Sequence, residues 1–215
     1  MENQPLVSIV VITYNSSKYV LETLESAKAQ TYQNIELIVT DDCSTDNTVE
    51  ICREWIDSNK DRFVRTELIT VQQNTGVSPN CNRGYRAAQG EWIKGIAGDD
   101  ILLSNCIDDY VCFAKENTSA WICHSDAIIF NNTNSSHLFC QHLKVFTSKE
   151  STALQQYNFL AVNCSIIAPT VFIKADLYKV LGGFDESIRL CEDWPMWLKV
   201  TLNGYKFYYI NRPTV

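Results

Sequence analysis

Four apolar, β-branched runs, each leading into a polar or helical stretch, constrain this chain more than any other feature. "VSIVVITY" (7–14), "IELIVT" (35–40), "ELITVQ" (67–72) and "EWIKGIA" (91–97) are dominated by apolar residues, the mark of strands covered on both faces. After the first run, "SKYVLETLESAKAQ" places Val20, Leu21, Leu24 and Ala27 at helical spacing. A second helix runs through Val49, Ile51, Cys52, Trp55 and Ile56, with Ser44 as its candidate N-cap. "VSPNCNRGYRAAQ" reads as a third. Strands that alternate with helices predict a mostly parallel, doubly wound sheet with right-handed crossovers.

That regularity ends near residue 116. "AWICHSDAIIF" (120–130) reads as one more strand, and "NNTNSSH" after it as a polar loop. "ESTALQQYNFLAV" is a helix candidate, and "SIIAPTVFIKADLYKVLGGFDE" combines a strand, a short helix and a glycine turn. "EDWPMWLKVTLNG" reads as a helix that ends at Gly204, and "YKFYYIN" as a late strand. With no internal repeat and no linker, the pattern predicts one domain with a less regular second half.

A parallel sheet opens the carboxyl ends of all its strands on one edge, and ligands sit in that crevice. Polar residues collect there. The first strand ends in Thr13-Tyr14-Asn15 and the second in Asp41-Asp42; the third leads to Asn74-Thr75-Gly76 and the fourth to Asp99-Asp100. The last pair is the most demanding, because adjacent carboxylates repel unless a cation or a proton relieves them. An aromatic ring, paired carboxylates, amides and a close-approach glycine at one edge describe a nucleotide pocket. Tyr14 can stack on a base, one carboxylate can accept from base or ribose, and another can hold a divalent cation that neutralises a diphosphate.

Composition narrows the class. The net charge of −7 leaves no basic stripe for nucleic acid. The nine cysteines are odd in number and none has CxxC spacing, which favours core thiols in a reducing compartment over disulfides or zinc. His124, His137 and His142 have no zinc-ligand spacing either. The N-terminal "MENQPLVSIVV" lacks a basic n-region, and no apolar run reaches the ~18 residues of a membrane span. The expected location is the cytoplasm.

"VSIVVITYNSSKYVLETLESAKAQTYQNIELIVTDDCSTDNT", "NTGVSPNCNRGYRAAQGEWI" and "GDD", in this order, resemble the nucleotide-binding half of family 2 glycosyltransferases. "LGGFDESIRLCEDWPMWLKV" resembles that family's acceptor-side segment. The resemblance implies an α/β GT-A fold over 1–215, Rossmann-like with a mostly parallel sheet flanked by helices. Residues 1–116 would form the nucleotide-binding half and 117–215 the acceptor-side half. It also implies an inverting transfer of sugar from a nucleotide-diphospho-sugar, most commonly a uridine one, with Mn²⁺ or Mg²⁺. The acceptor would be a glycan or lipid-linked glycan, in polysaccharide or glycoconjugate synthesis.

Carried over residue by residue, Tyr14 would stack on the base, Thr13 would line its pocket and Asp42 would meet the base or ribose edge. Asp99 would sit by the ribose and Asp100 would ligate the metal. This chain reads Gly98-Asp99-Asp100 rather than a literal Asp-x-Asp, so one aspartate is expected as the direct ligand. Asn15, Asn74 and Gly76 join the nucleotide side, with Asn82 and Arg83 as weaker candidates. In the Glu192-Asp193 pair, Asp193 would be the catalytic base.

Against a nicotinamide dehydrogenase, "NSSKYV" rather than GxGxxG follows the first strand. A sugar-nucleotide or glycan-binding module without chemistry is the alternative, and Asp193 argues against it. The chain stops at "NRPTV" where many relatives continue, so further acceptor contacts or a peripheral membrane attachment would lie in segments absent here.

Overall fold

β1 (Val7–Thr13) is the spine of the sheet, pairing in parallel with β2 (Ile35–Asp41) on one side and β4 (Trp92–Ala97) on the other. β3 (Arg65–Thr70) adds in parallel to β2. Beyond β4 the direction changes. β7 (Phe172–Lys174) lies antiparallel to both β4 and β5 (Ile122–Phe130), β6 (Ser136–Phe139) is antiparallel to β5, and β8 (Tyr208–Pro213) is parallel to β5. The sheet order is β3-β2-β1-β4-β7-β5-β6, with β8 attached to β5. The computed structural model describes residues 4–130, 136–139, 143–188 and 191–215.

Alternation along the buried strands feeds two cores. Ile9, Val11, Leu37 and Val39 pack on α1 (Val20–Lys28), α2 (Thr48–Asn59) and α4 (Cys106–Glu116) through Leu24, Trp55 and Tyr110. Val10, Ile38 and Ile93 pack the opposite face against α3 (Val77–Ala87) through Cys81 and Tyr85, in a cluster that extends to Met196 and Trp197 of α8 (Asp193–Leu202). Each such side chain stabilises the fold by roughly 1.5–3 kcal/mol when fully buried. The shorter helices α5 (Lys144–Thr147), α6 (Ala153–Leu160) and α7 (Ala175–Val180) complete the second half. Thr152 and Gln155 form a capping box that starts α6.

The structure departs from the sequence reading at several points. β3 begins at Arg65 rather than 67 and β8 at Tyr208 rather than 205. Ser44 does not cap α2: its hydroxyl donates to Asp41 Oδ2 (2.5 Å), while Asp46 Oδ1 accepts from the Thr48 amide (3.0 Å) at the start of that helix. Helix α4 was not expected. Within the expected polar loop, residues 131–135 lie outside the described residues, and Ser136 and His137 open β6. Cys140 and His142 also lie outside them.

At the edge away from the strand ends, a buried carboxylate fastens the sheet. Glu36 on β2 accepts from Ser8 Oγ on β1 (2.5 Å) and from the amides of Gln89 (2.6 Å) and Gly90 (3.0 Å) before β4. Arg65 Nη1 on β3 donates to its other oxygen (2.8 Å). Removing the carboxylate strands these donors, and losing one partner of a buried pair is costly. Glu36→Ala should lower stability by about 2–4 kcal/mol in urea unfolding, while any ligand affinity at the opposite edge of the sheet survives in the folded fraction.

Candidate active site

Where β1, β2 and β4 stop pairing, backbone bonds close their ends (the Asp42 amide to Thr13 O, 3.1 Å; the Gly98 amide to Ile12 O, 2.9 Å), and side chains tie together the loops beyond them. Thr13 Oγ1 donates to Asp41 Oδ2 (2.8 Å), and the Ser44 amide donates to Asp41 Oδ1 (2.7 Å). Asn15 Oδ1 accepts from the Thr45 amide (2.8 Å), and the Asn15 amide donates to Ser44 Oγ (2.7 Å). These bonds lock the loop after β1 onto the loop after β2. Both loops carry a non-glycine residue with positive φ, Asn15 (52°) and Cys43 (67°). Such backbone strain gathers at ligand-binding edges. Tyr14, between these anchors, is half exposed at 50%. Its ring is therefore available, whereas Thr13 is buried beneath it.

Asp42 is 2% exposed and fully engaged. Its Oδ2 accepts from the amides of Thr75 (2.9 Å) and Gly76 (2.7 Å), and its Oδ1 from Thr75 Oγ1 (2.7 Å) and Arg83 Nη2 (2.5 Å). Burial pushes this carboxyl up, but the bonds from Thr75, Arg83 and Gly76 outweigh it and leave the pKa below the ordinary value. Asp42 thus holds the loop between β3 and α3, and it reaches Arg83 rather than open solvent. Gly76, at φ 98°, makes the turn into α3. Asn74 is exposed on that loop, and the Arg83 guanidinium is partly exposed beside it.

Asn82 is corrected. It is completely buried, its Nδ2 donating to Phe184 O (3.0 Å) and Glu186 Oε1 (2.7 Å). Its Oδ1 accepts from Tyr178 Oη (2.7 Å) and the Phe184 amide (2.9 Å). Those bonds use its capacity and tie α3 to the 182–186 turn, away from the nucleotide side. The sequence reading missed Asn80, whose Nδ2 donates to Thr13 O (3.0 Å) while its Oδ1 accepts from Thr40 Oγ1 (2.7 Å). An amide on the apolar face of an otherwise amphipathic helix was the available signal.

Gly98 explains how the acidic pair reaches this edge. A Cβ there would meet Thr13 Cγ2 at 2.9 Å and Ser16 Oγ at 3.0 Å, so only glycine lets the end of β4 lie against the end of β1. Asp99 beyond it is exposed and Asp100 half-buried. Thr23 Oγ1 of α1 fixes the Asp100 carbonyl (2.8 Å). Neither carboxylate has a hydrogen bond or ion pair among the described residues. Burial, then the charge of Asp99, raises the Asp100 pKa to about 6, with Lys94 opposing.

The Asp100 carboxylate, without a hydrogen bond or ion pair among the described residues, fits a hard divalent cation that would take its remaining ligands from a diphosphate and water. Among the described residues no group of three or more His, Cys, Asp or Glu side chains converges to hold an ion alone.

Across the edge, Glu192 and Asp193 at the start of α8 line a cleft of about 100 Å³. Its other walls include Ile12 and Ala97 at the ends of β1 and β4, Tyr85 of α3, Phe184 and Trp197. The cleft that Asp193 lines reaches Ala97, the residue before Gly98-Asp99-Asp100. Asp193 Oδ1 accepts from the Trp194 amide (2.7 Å) and Cys191 Sγ (3.5 Å). Burial, then the charge of Asp193, raises the pKa of Glu192. The arrangement can bind an anion-bearing ligand at the acidic turn with a cation and hold a carboxylate against a second reactant.

The metal-free protein should register the strain at Asp100. Its folded pKa of about 6 exceeds the ordinary 3.8, so the folded state holds the proton more tightly. Stability is then lost as pH rises from about 4 through about 6, and the penalty is complete above that. Asp100→Asn should therefore melt above the wild type at pH 7.5 and level with it near pH 4, in thermal unfolding with chelator. An equal gain at both pH values would exclude the titration of Asp100 as its source.

The model of the family described as "Glycosyl transferase family 2" matches residues 8–173. An uncharacterized glycosyltransferase of Rickettsia prowazekii (strain Madrid E) is 28% identical over 203 residues, covering 91% of this chain and 58% of its own length. The chain thus spans less than two thirds of that relative. The putative glycosyltransferase EpsE of Bacillus subtilis (strain 168) is 24% identical over 210 residues, covering 97% of this chain and 71% of its own. Among solved structures, S. aureus TarS 1-349 in complex with UDP-GlcNAc aligns with a TM-score of 0.73 at 23% identity, over 98% of this chain and 59% of that one. The mannosyltransferase PcManGT from Pyrobaculum calidifontis, in complex with GDP-Man and Mn²⁺, aligns with a TM-score of 0.71 at 18% identity, over 98% and 56%. At these identities the structural likeness shows the fold, which is of the GT-A kind.

Proposed function

The chain belongs to glycosyl transferase family 2, and from that membership we propose that it moves a sugar from a nucleotide-diphospho-sugar to an acceptor hydroxyl with inversion. The observation that carries this reading is the cleft in which Asp193 and Glu192 meet the ends of β1 and β4, beside an unpaired acidic turn. The nucleotide would lie over the β1, β2 and β3 ends. Tyr14 would stack on the base, Asn15, Asn74, Gly76 and Arg83 would border it, and Asp99 would meet the ribose. Thr13 and Asp42 serve this pocket from beneath, by fixing its loops. Asp100 would hold Mn²⁺ or Mg²⁺, which when bound stabilises the negative charge of the departing diphosphate.

Asp193 acts as the general base. Its carboxylate removes the acceptor hydroxyl proton as that oxygen attacks the anomeric carbon, opposite the leaving nucleoside diphosphate. The new C–O bond forms as the bond to the diphosphate breaks, which inverts the centre. TarS is in complex with UDP-GlcNAc and PcManGT with GDP-Man, and both support a nucleotide-sugar donor here. A uridine nucleotide and a glycan or lipid-linked glycan acceptor, in polysaccharide synthesis at the cytoplasmic face of a membrane, complete the proposal. Among the described residues no helix is long and apolar enough to cross a membrane.

Tyr14→Ala should weaken UDP and UDP-sugars alike by roughly 1–3 kcal/mol in calorimetry with Mn²⁺, because stacking is blind to the sugar. An unchanged affinity would reduce the ring to a cover for the strand edge. In transfer assays over a panel of nucleotide sugars and glycan acceptors, Asp193→Asn should keep donor binding and lose roughly 10²–10⁴-fold in turnover. Glu192→Gln should lose far less. Donor binding without turnover in the wild type would turn the assignment to a binding module.

A further inference from the structure

Lys94 breaks the apolar run of β4 and the proposed chemistry does not use it. The side chain is completely buried, and it shares a strand face with Trp92 and Ile96. Its ammonium donates to Pro169 O and, at 3.4 Å, to Val171 O, and it lies 5.4 Å from the ring centre of Tyr110 on α4. It forms no ion pair among the described residues. Tyr110 Oη donates to Thr170 O, the carbonyl between those two. The backbone of the single helical turn Ala168–Thr170 and the residue after it thus converges on two side chains from β4 and α4. The outer side of that turn, Ala168 and Pro169, walls the cleft shared with Asp193.

A buried ammonium with two carbonyl acceptors and a π face is incompletely compensated for lost water. An apolar residue of similar volume would leave stability equal or better. Stability therefore does not account for lysine here, and geometry does. A long side chain ending in an amine donor can gather two carbonyls of a turn from under the sheet, which an alkyl chain cannot.

We propose that Lys94 is a positioning residue: with Tyr110 it fixes the Ala168–Thr170 turn and so sets the acceptor-facing wall of the cleft opposite Asp193. The acceptor-facing character of that wall rests on the transferase reading above. The fixing of the turn does not.

Lys94→Met tests it by thermal unfolding, hydrogen exchange of the 167–172 segment, calorimetry with UDP, dTDP and GDP plus Mn²⁺, and transfer kinetics. The expected result is an unchanged or higher melting temperature and faster exchange confined to 167–172. Affinity for whichever nucleotide the wild type binds should stay within about twofold, and acceptor KM should rise about tenfold or more. Unaltered exchange at 167–172, or acceptor KM unaltered with faster exchange, overturns the proposal. So does a fall in melting temperature with parallel loss of nucleotide affinity, which marks a merely structural lysine. If Lys94→Met does not fold, Tyr110→Phe removes one bond to the same turn and must give the same local gain in exchange and the same KM rise. A wild type that binds none of the three nucleotides overturns the transferase reading, and with it the acceptor role of the wall; faster 167–172 exchange in the variant would still separate that failure from failure of the turn contact.

Discussion

A parallel sheet that ends under cover must satisfy the last amides and carbonyls of its strands; here backbone bonds from Asp42 to Thr13 O (3.1 Å) and from Gly98 to Ile12 O (2.9 Å) close the ends, and side chains tie together the loops beyond them. Asp41 gathers Thr13 and Ser44, and Asp42 gathers Thr75, Gly76 and Arg83. Asn80 bridges β1 and β2 from α3. The bonds are local in effect but long in sequence, joining residues up to several tens of positions apart. They turn three separate loops into one rigid rim. A rim of this kind holds its shape before any ligand arrives, which is how a site limits the entropy it must give up on binding.

The same edge concentrates features that a stability-optimised chain would avoid. Asn15 and Cys43 sit at positive φ, and such conformations cost of order 1–3 kcal/mol each unless over-determined by their surroundings. Asp99 and Asp100 stand together with no hydrogen bond or ion pair to either carboxylate among the described residues, and the charge of Lys94 only partly opposes the rise in the Asp100 pKa. Glu36, by contrast, is as buried as any carboxylate in the chain, yet it has a donor for each oxygen at the opposite end of the strands. The sheet therefore carries satisfied charge at one edge and unsatisfied charge at the other. That asymmetry is the physical signature of a site.

The four parallel strands and their helices were legible because buried β-branched runs and helical periodicity are local signals. What lay beyond them was less so. Ile107, Tyr110, Val111 and Ala114 do carry the helical spacing of α4, but the apolar Ile101-Leu102-Leu103 that runs up to the Ser104-Asn105 turn masks where it starts. β7 spans only Phe172–Lys174 and exists through its neighbours β4 and β5, so no local pattern marks it. In the site, the sequence placed Asp41 and Asp42 at a strand end without telling which groups each would meet. Adjacent residues face opposite ways on a strand, and their partners come from different loops. Asn82 looked like a nucleotide ligand because it follows Gly76 on α3; only the fold brings Phe184 and Glu186 onto it.

Helix α3 is where the two halves of the cleft are made to agree. Arg83 on one side of it binds Asp42, and Asn82 on another binds the 182–186 turn. At its start, Ser78 Oγ donates to Ile188 O (3.0 Å). Gly183 is drawn so close that a Cβ would meet Asn82 Oδ1 at 2.6 Å, at a φ of 80° that favours glycine in any case. These contacts connect the rim at the strand ends to the 182–188 segment. The second half has less regular structure, so its placement cannot come from strand pairing alone. Beside the pairing of β7 with β4 and the apolar cluster that reaches Met196 and Trp197, it is held by polar side chains buried along α3, which are directional where apolar packing is not. Helix α3 thus ties the rim at the strand ends to the 182–188 segment, and a single-residue change on its buried polar face acts on both at once.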